Sequence, residues 1–282
     1  MDLKILLDTP PWDWPPDAGR MFLKILIDPQ AKASDRLLAA QLAGDFTVIN
    51  DDLAAALLAI VRDAGEPEQL RARAAISVGP ALEQADIDGF MDPDEVPITE
   101  GMFRNIQDTL QKLCLDNSTP KEVRRRVLEA SVRAPEAWHR DAIAHAYSSG
   151  DKEWMLTAVF AMRCVRGFDK QILEALKSAN PDIHYEAVRA AGNWELDAAW
   201  PHIVALVKNP RTPKRLLLAA IGAVGSIRPA EAPEILLDLA DSDDEDIAEA
   251  ADEAMTMAEG PSAYEEEDDD EEEEDEDGEW IN

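Results

Sequence analysis

Residues Leu70 to Gly79 read LRARAAISVG, and stretches of the same pattern recur along the 282-residue chain. They are VRRRVLEASV from Val123, WMLTAVFAMR from Trp154, IHYEAVRAAG from Ile183, LLLAAIGAVG from Leu216 and IAEAADEAMT from Ile247. A weaker copy, DRLLAAQLAG, starts at Asp35. The last five starts lie 31, 29, 33 and 31 residues apart. Leu70 and Val123 are 53 apart, which leaves room for an inserted segment. A fixed internal period in this range belongs to stacked repeats, where each unit completes its core against the next.

The columns of the phrase make sense on a helix. Position one is large and apolar (Leu70, Val123, Trp154, Ile183, Leu216, Ile247), and position five is mostly alanine (Ala74, Val127, Ala158, Ala187, Ala220, Ala251). Position eight is small throughout: Ser77, Ala130, Ala161, Ala190, Ala223 and Ala254. Offsets of four and seven put the three columns on one helical face, and small residues there admit a neighbouring helix. Gly79, Gly192 and Gly225 close three copies and read as helix ends.

A second apolar helical segment precedes each phrase, as at Leu53–Val61, Ile106–Leu115, Ala142–Tyr147, Ile172–Leu176, Ile203–Val207 and Ile235–Leu239. Breakers such as Gly65-Glu66-Pro67, Asn180-Pro181 and Asn209-Pro210 lie between segment and phrase, and proline there stops one helix and pre-sets the entry to the next. Only Phe46–Ile49 is a β-prone run. The unit is helix, turn, helix, repeated about seven times, which makes the fold an all-α solenoid.

The phrase resembles the second-helix signature of HEAT-type repeats, V-R-x-x-A-A-x-A-L-G, in the short bacterial form named after phycobilisome lyases. LRARAAISVG fits best and IHYEAVRAAG next, whereas LLLAAIGAVG lacks the arginine. The resemblance covers residues 16–258. It implies a right-handed α-solenoid of about seven HEAT-like repeats with second helices lining a concave side. It also implies a function among scaffolds, adaptors, lyase subunits and a few DNA-repair glycosylases.

Three further segments frame the repeats. Residues 1–15 lead into them. Residues 81–98 (ALEQADIDGFMDPDEVPI) form the acidic insertion; Asp86, Asp88, Asp92 and Asp94 miss the EF-hand spacing, so an ordinary acidic loop is expected. Residues 259–282 carry 14 carboxylates between Glu265 and Glu279, a composition expected to stay disordered, and end in an apolar Trp280-Ile281.

The formal charge is −32, but residues 120–230 hold 17 basic and 12 acidic side chains while residues 231–282 hold none and 26. An excess of this size argues against binding nucleic acid or anionic membranes. The N-terminus lacks the features of a secretory signal, and no stretch has the length of apolar residues that a membrane span requires. With only Cys114 and Cys164, no disulfide framework is expected and the thiols are expected to stay reduced, so a cytoplasmic location is expected.

No enzyme motif appears. His139 and His145 are six apart and do not share a helical face, and no cysteine lies at ligand spacing, so neither metal nor cofactor is expected. The more informative residues are at positions three and seven of the phrase, about 200° and 240° from position one. In the middle copies these are Leu156, Phe160, Tyr185, Arg189 and Leu218, an interface-like composition on a nominally exposed face; burial by curvature is the alternative. Arg124, Arg125 and Arg126 give that face a basic edge. The expected function is a non-enzymatic scaffold or adaptor that binds another protein in the concave groove, with the acidic tail modulating binding or solubility and favouring a basic surface. The alternatives are a lyase- or chaperone-like subunit that uses Cys164 and, more remotely, a glycosylase built around Arg189, Trp194, Glu195 and Asp197.

Overall fold

The computed structural model describes residues 3–91 and 96–259. A lead helix α1 (Leu3–Leu7) precedes α2 (Ala18–Ile27), α3 (Ala33–Leu42), α4 (Asp51–Arg62), α5 (Glu68–Ser77) and α6 (Gly79–Asp88). The chain continues through α7 (Glu100–Leu115), α8 (Lys121–Ser131), α9 (Ala137–Ser148), α10 (Lys152–Ala161) and α11 (Asp169–Ala175). It ends in α12 (Pro181–Asn193), α13 (Trp200–Val207), α14 (Lys214–Ile227), α15 (Ala232–Ala240) and α16 (Glu245–Glu259). Among the described residues there is no strand, and helix pairs α2–α3, α4–α5 and α7–α8 through α15–α16 repeat as helix-turn-helix units. The fold is an all-helical solenoid of such pairs.

Local chemistry sets the boundaries. Pro67, Pro120 and Pro213 cap α5, α8 and α14 with φ of −56°, −54° and −57°, already near the helical value. Asn50 caps α4, its Oδ1 accepting from the Leu53 amide at 3.0 Å. The β-prone run Phe46–Ile49 is a turn instead, because the Asp45 carboxylate accepts from the amide and hydroxyl of Thr47 and folds the chain back locally. The insertion also departs from a plain loop. Its first part is α6, which Gly89 ends at φ 68°; Asp92 and Asp94 lie outside the described residues, as do Trp280, Ile281 and the rest of the acidic tail.

The alanine columns form the core. All six position-five residues are fully buried, and all six at position eight are buried as well. Of the terminal glycines, Gly79 does follow the end of α5, and all three also serve a packing contact. Gly192 and Gly225 lie within α12 and α14, and none of Gly79, Gly192 and Gly225 has positive φ. Each faces position eight of the following copy. A methyl group at Gly192 would lie 3.1 Å from the Ala223 Cα and one at Gly225 2.9 Å from the Ala254 carbonyl oxygen, whereas one at Gly79 would meet the Arg133 side chain at 2.8 Å before the Ala130 Cα at 3.4 Å. At Gly44, which closes the weak copy from Asp35, it would overlap the carbonyl oxygen of Ser77, again position eight of the next copy. Glycine at position ten therefore lets successive second helices touch backbone to backbone.

The chain divides into two compact units, one ending at Glu186 and the other beginning at Ala187 within α12. In the first, α3, α5, α8 and α10 pack in series as second helices, and α2, α4 and α7 as first helices. In the second, α14 packs on α13 and α16, and α15 on α16. Ion pairs repeat with the fold: Lys121 to Asp151 and Lys214 to Asp244, each at 2.6 Å, span 30 residues, as does Arg36 to Glu66. Each lysine follows the proline that starts a second helix, and each aspartate stands at the start of the next second helix.

Candidate functional site

The second-helix face was expected to carry a basic edge at Arg124, Arg125 and Arg126, and here the structure corrects the reading. Arg125 is 4% exposed. Its Nε donates to Thr157 Oγ1 at 3.0 Å and its Nη1 to Glu122 at 2.7 Å, with Glu129 and Glu153 within 4.0 Å. Thr157 in turn donates to Glu129 Oε1 at 2.6 Å, so a ring of buried polar groups is closed between α8 and α10. Arg126 pairs with Glu122 and Glu129, and Arg124 donates from Nε to the Cys114 carbonyl at 2.9 Å. The physical reason is that α10 packs directly on α8, which turns positions three and seven of α8 into an inter-helix seam. A single-helix projection cannot see that neighbour.

In the first unit, Leu156, Phe160 and Tyr185 are half-buried, and the Arg163 guanidinium stands 5.3 Å above the Phe160 ring. In the second unit Leu218 is half-buried and Arg189 exposed. On the same helices Ala158, Ala161, Ala187, Ala190, Ala220 and Ala223 are buried, so the expected division between a packed and a more open face holds for these copies. On that open face a groove of about 410 Å³ lies along α3, α5 and α8, with Leu37, Ala72 and Ile76 as its apolar floor and Arg73, Glu122 and Arg126 at its sides. Leu37, Ala72 and Ile76 occupy positions three and seven of their copies.

Position-based reasoning missed a second cavity, on the first-helix side. An apolar pocket of about 390 Å³ opens between α7 and α9, bordered by Trp138, Asp141 and His145 of α9, Cys114 of α7, Arg124 of α8 and Trp154 of α10. Two signals for it were present in the sequence. Trp154 is the one aromatic residue in the position-one column, and Trp138, Asp141 and His145 recur at helical spacing along one face of α9.

His139, Cys114 and Asp197 are held by their surroundings in the fold. His139 is fully buried: its Nδ1 accepts from the Glu136 amide at 2.8 Å, which leaves Nε2–H to donate to Ser131 Oγ at 2.9 Å. Burial pushes its pKa down to about 4. Burial likewise pushes the Cys114 thiol up to about 11, so it stays protonated at neutral pH. Asp197 is bound to Arg228 at 2.8 Å, and Glu195 takes φ 50° in the turn that follows α12, after which Asp197 opens the short helical turn that leads into α13.

Helix pairs, alanine columns and a glycine contact that recurs from copy to copy define a helical-repeat protein. The HEAT-repeat family model matches residues 170–256, so the chain carries HEAT-like repeats over that stretch. No curated protein sequence matches it. Among solved structures it is similar to the Escherichia coli protein YibA at 17% identity and a TM-score of 0.46, covering 86% of this chain and 82% of that one. It is also similar to an engineered protein at 17% identity and a TM-score of 0.43, covering 73% and 96%. Human deoxyhypusine hydroxylase in complex with glycerol matches at 16% identity and a TM-score of 0.37, covering 86% and 96%. Among the described residues no helix is long and apolar enough to cross a membrane.

Proposed function

We propose that this chain is a non-enzymatic scaffold or adaptor that binds another protein on its second-helix face. The observation that carries this reading is the exposure pattern within single helices. Positions five and eight are buried, while large apolar groups at positions three and seven (Ile76, Leu156, Phe160, Tyr185 and Leu218) keep part of their surface in water. Tertiary packing that leaves such side chains half-covered provides the apolar centre an interface requires. The acidic tail supplies a long-range field that favours a partner with a basic surface and keeps the unbound chain dispersed.

A photo-crosslinking side chain placed at Phe160 in cells tests the reading. A discrete adduct with one protein is expected there, and none from the same group at Lys112, an exposed position on α7. Phe160→Ala and Tyr185→Ala are expected to leave melting nearly unchanged while removing an adduct formed from Leu156. If both variants instead cost the ~3–5 kcal/mol of a large core truncation, these residues are core and the surface is not an interface.

A further inference from the structure

The layer of first helices is continuous through α2, α4 and α7 and then opens, because α7 and α9 make at most marginal contact. The gap is the 390 Å³ pocket described above, within the size range of small-molecule sites. Its apolar walls include the indoles of Trp138 and Trp154 and the side chain of Leu128. One cation is fixed in it. Arg124 is pinned at Nε by the Cys114 carbonyl, and its guanidinium lies 5.5 Å from the centroid of the Trp154 ring. Its two terminal nitrogens have no hydrogen-bond partner among the described residues.

A guanidinium held at one nitrogen with its outer fork free is preorganised for a carboxylate, and two indoles beside it suit a flat apolar ring. We propose that the pocket between α7 and α9 binds a small aromatic monocarboxylate, with its carboxylate on Arg124 and its ring against Trp138 and Trp154. Charge placement selects the acid over the corresponding amine. Arg124 is half-buried, whereas Asp141, the acid bordering the pocket, and Asp116, the nearby carboxylate that Arg124 attracts, are both exposed. A carboxylate therefore meets its partner in the lower dielectric, while an ammonium on Asp141 would be screened by water and salt. A second carboxylate on the ligand would be driven toward Asp141, so a monocarboxylate is favoured. The protonated Cys114 thiol offers no nucleophile, and binding is non-covalent. This site lies on the first-helix side and is independent of the partner-binding reading.

The test is equilibrium binding of 3-phenylpropionate to the whole chain, by calorimetry or ligand-observed NMR, with phenethylamine as the same ring of opposite charge. Saturable binding of 3-phenylpropionate is expected, with phenethylamine at least about tenfold weaker. Arg124→Gln is expected to weaken 3-phenylpropionate by at least about tenfold as well. Because Arg124 also braces Trp154, that variant counts only if its melting is unchanged. Ala142→Leu, which fills the pocket from the half-buried face of α9 without altering any charge, must also weaken binding and decides the matter if Arg124→Gln does not fold. No saturable binding at millimolar 3-phenylpropionate, phenethylamine binding as tightly, or undiminished binding in Ala142→Leu or folded Arg124→Gln would overturn the proposal.

Discussion

Gly222 and Gly225 stand three residues apart in the same helix, α14, and the structure assigns them opposite responses to one substitution. At both, alanine gains up to the ~0.8–1 kcal/mol by which it exceeds glycine in helix propensity. Around a methyl at Gly222 there is nothing within 4 Å, so Gly222→Ala should stabilise the protein by about that amount. At Gly225 the methyl would meet the Ala254 carbonyl oxygen at 2.9 Å, the Ala254 Cβ at 3.2 Å and its Cα at 3.3 Å. These belong to the α16 backbone and its shortest side chain, so relief requires shifting a helix rather than turning a rotamer. Overpacking of this kind costs roughly 1–3 kcal/mol, which cancels or exceeds the propensity gain. The two variants should therefore differ by about 1–3 kcal/mol, or several degrees in melting temperature at ~2–4 °C per kcal/mol. Thermal unfolding followed by circular dichroism, on both variants and the parent, measures the difference directly. If Gly225→Ala stabilises the protein as much as Gly222→Ala, position-ten glycine is not a packing device and the close contact between successive second helices does not depend on it.

Thr157→Val leaves Arg125 Nε and Glu129 Oε1 without a shared partner inside the α8–α10 seam, and should cost ~1–3 kcal/mol in urea unfolding despite the similar shape of valine. His139 is neutral in the fold with a pKa of about 4, against ~6.5 in an unfolded chain. Below pH ~6.5 the unfolded chain takes up a proton that the folded one refuses, so this contribution is full above that pH and declines by up to about 3 kcal/mol as the pH falls toward 4. His139→Gln should flatten that part of the stability–pH curve; parallel curves for variant and parent would exclude His139 as its source. Gly44→Ala places a methyl inside the Ser77 carbonyl oxygen and should destabilise more than Gly225→Ala, as judged by melting temperature.

Much of the architecture was readable from the chain alone, because a helix face repeats on a period that depends only on backbone geometry. Positions one, five and eight announced the packing face, and prolines after short breakers announced the second helices. Acidic excess came from composition. Other features depended on which helix lies against which. The glycines at position ten look like helix ends until the next repeat is present, and only then is their role as backbone contacts visible. Arg125 reads as a solvated side chain on an isolated α8 and becomes part of a buried ring once α10 covers it. The pocket between α7 and α9 exists because two first helices that the repeat pattern would stack stand apart; Trp138, Asp141 and His145 mark a face of α9, but not that its neighbour is missing there. Periodicity specifies the face a helix buries; the neighbour it meets there, and the space left where none arrives, is set by three-dimensional packing of residues far apart in sequence.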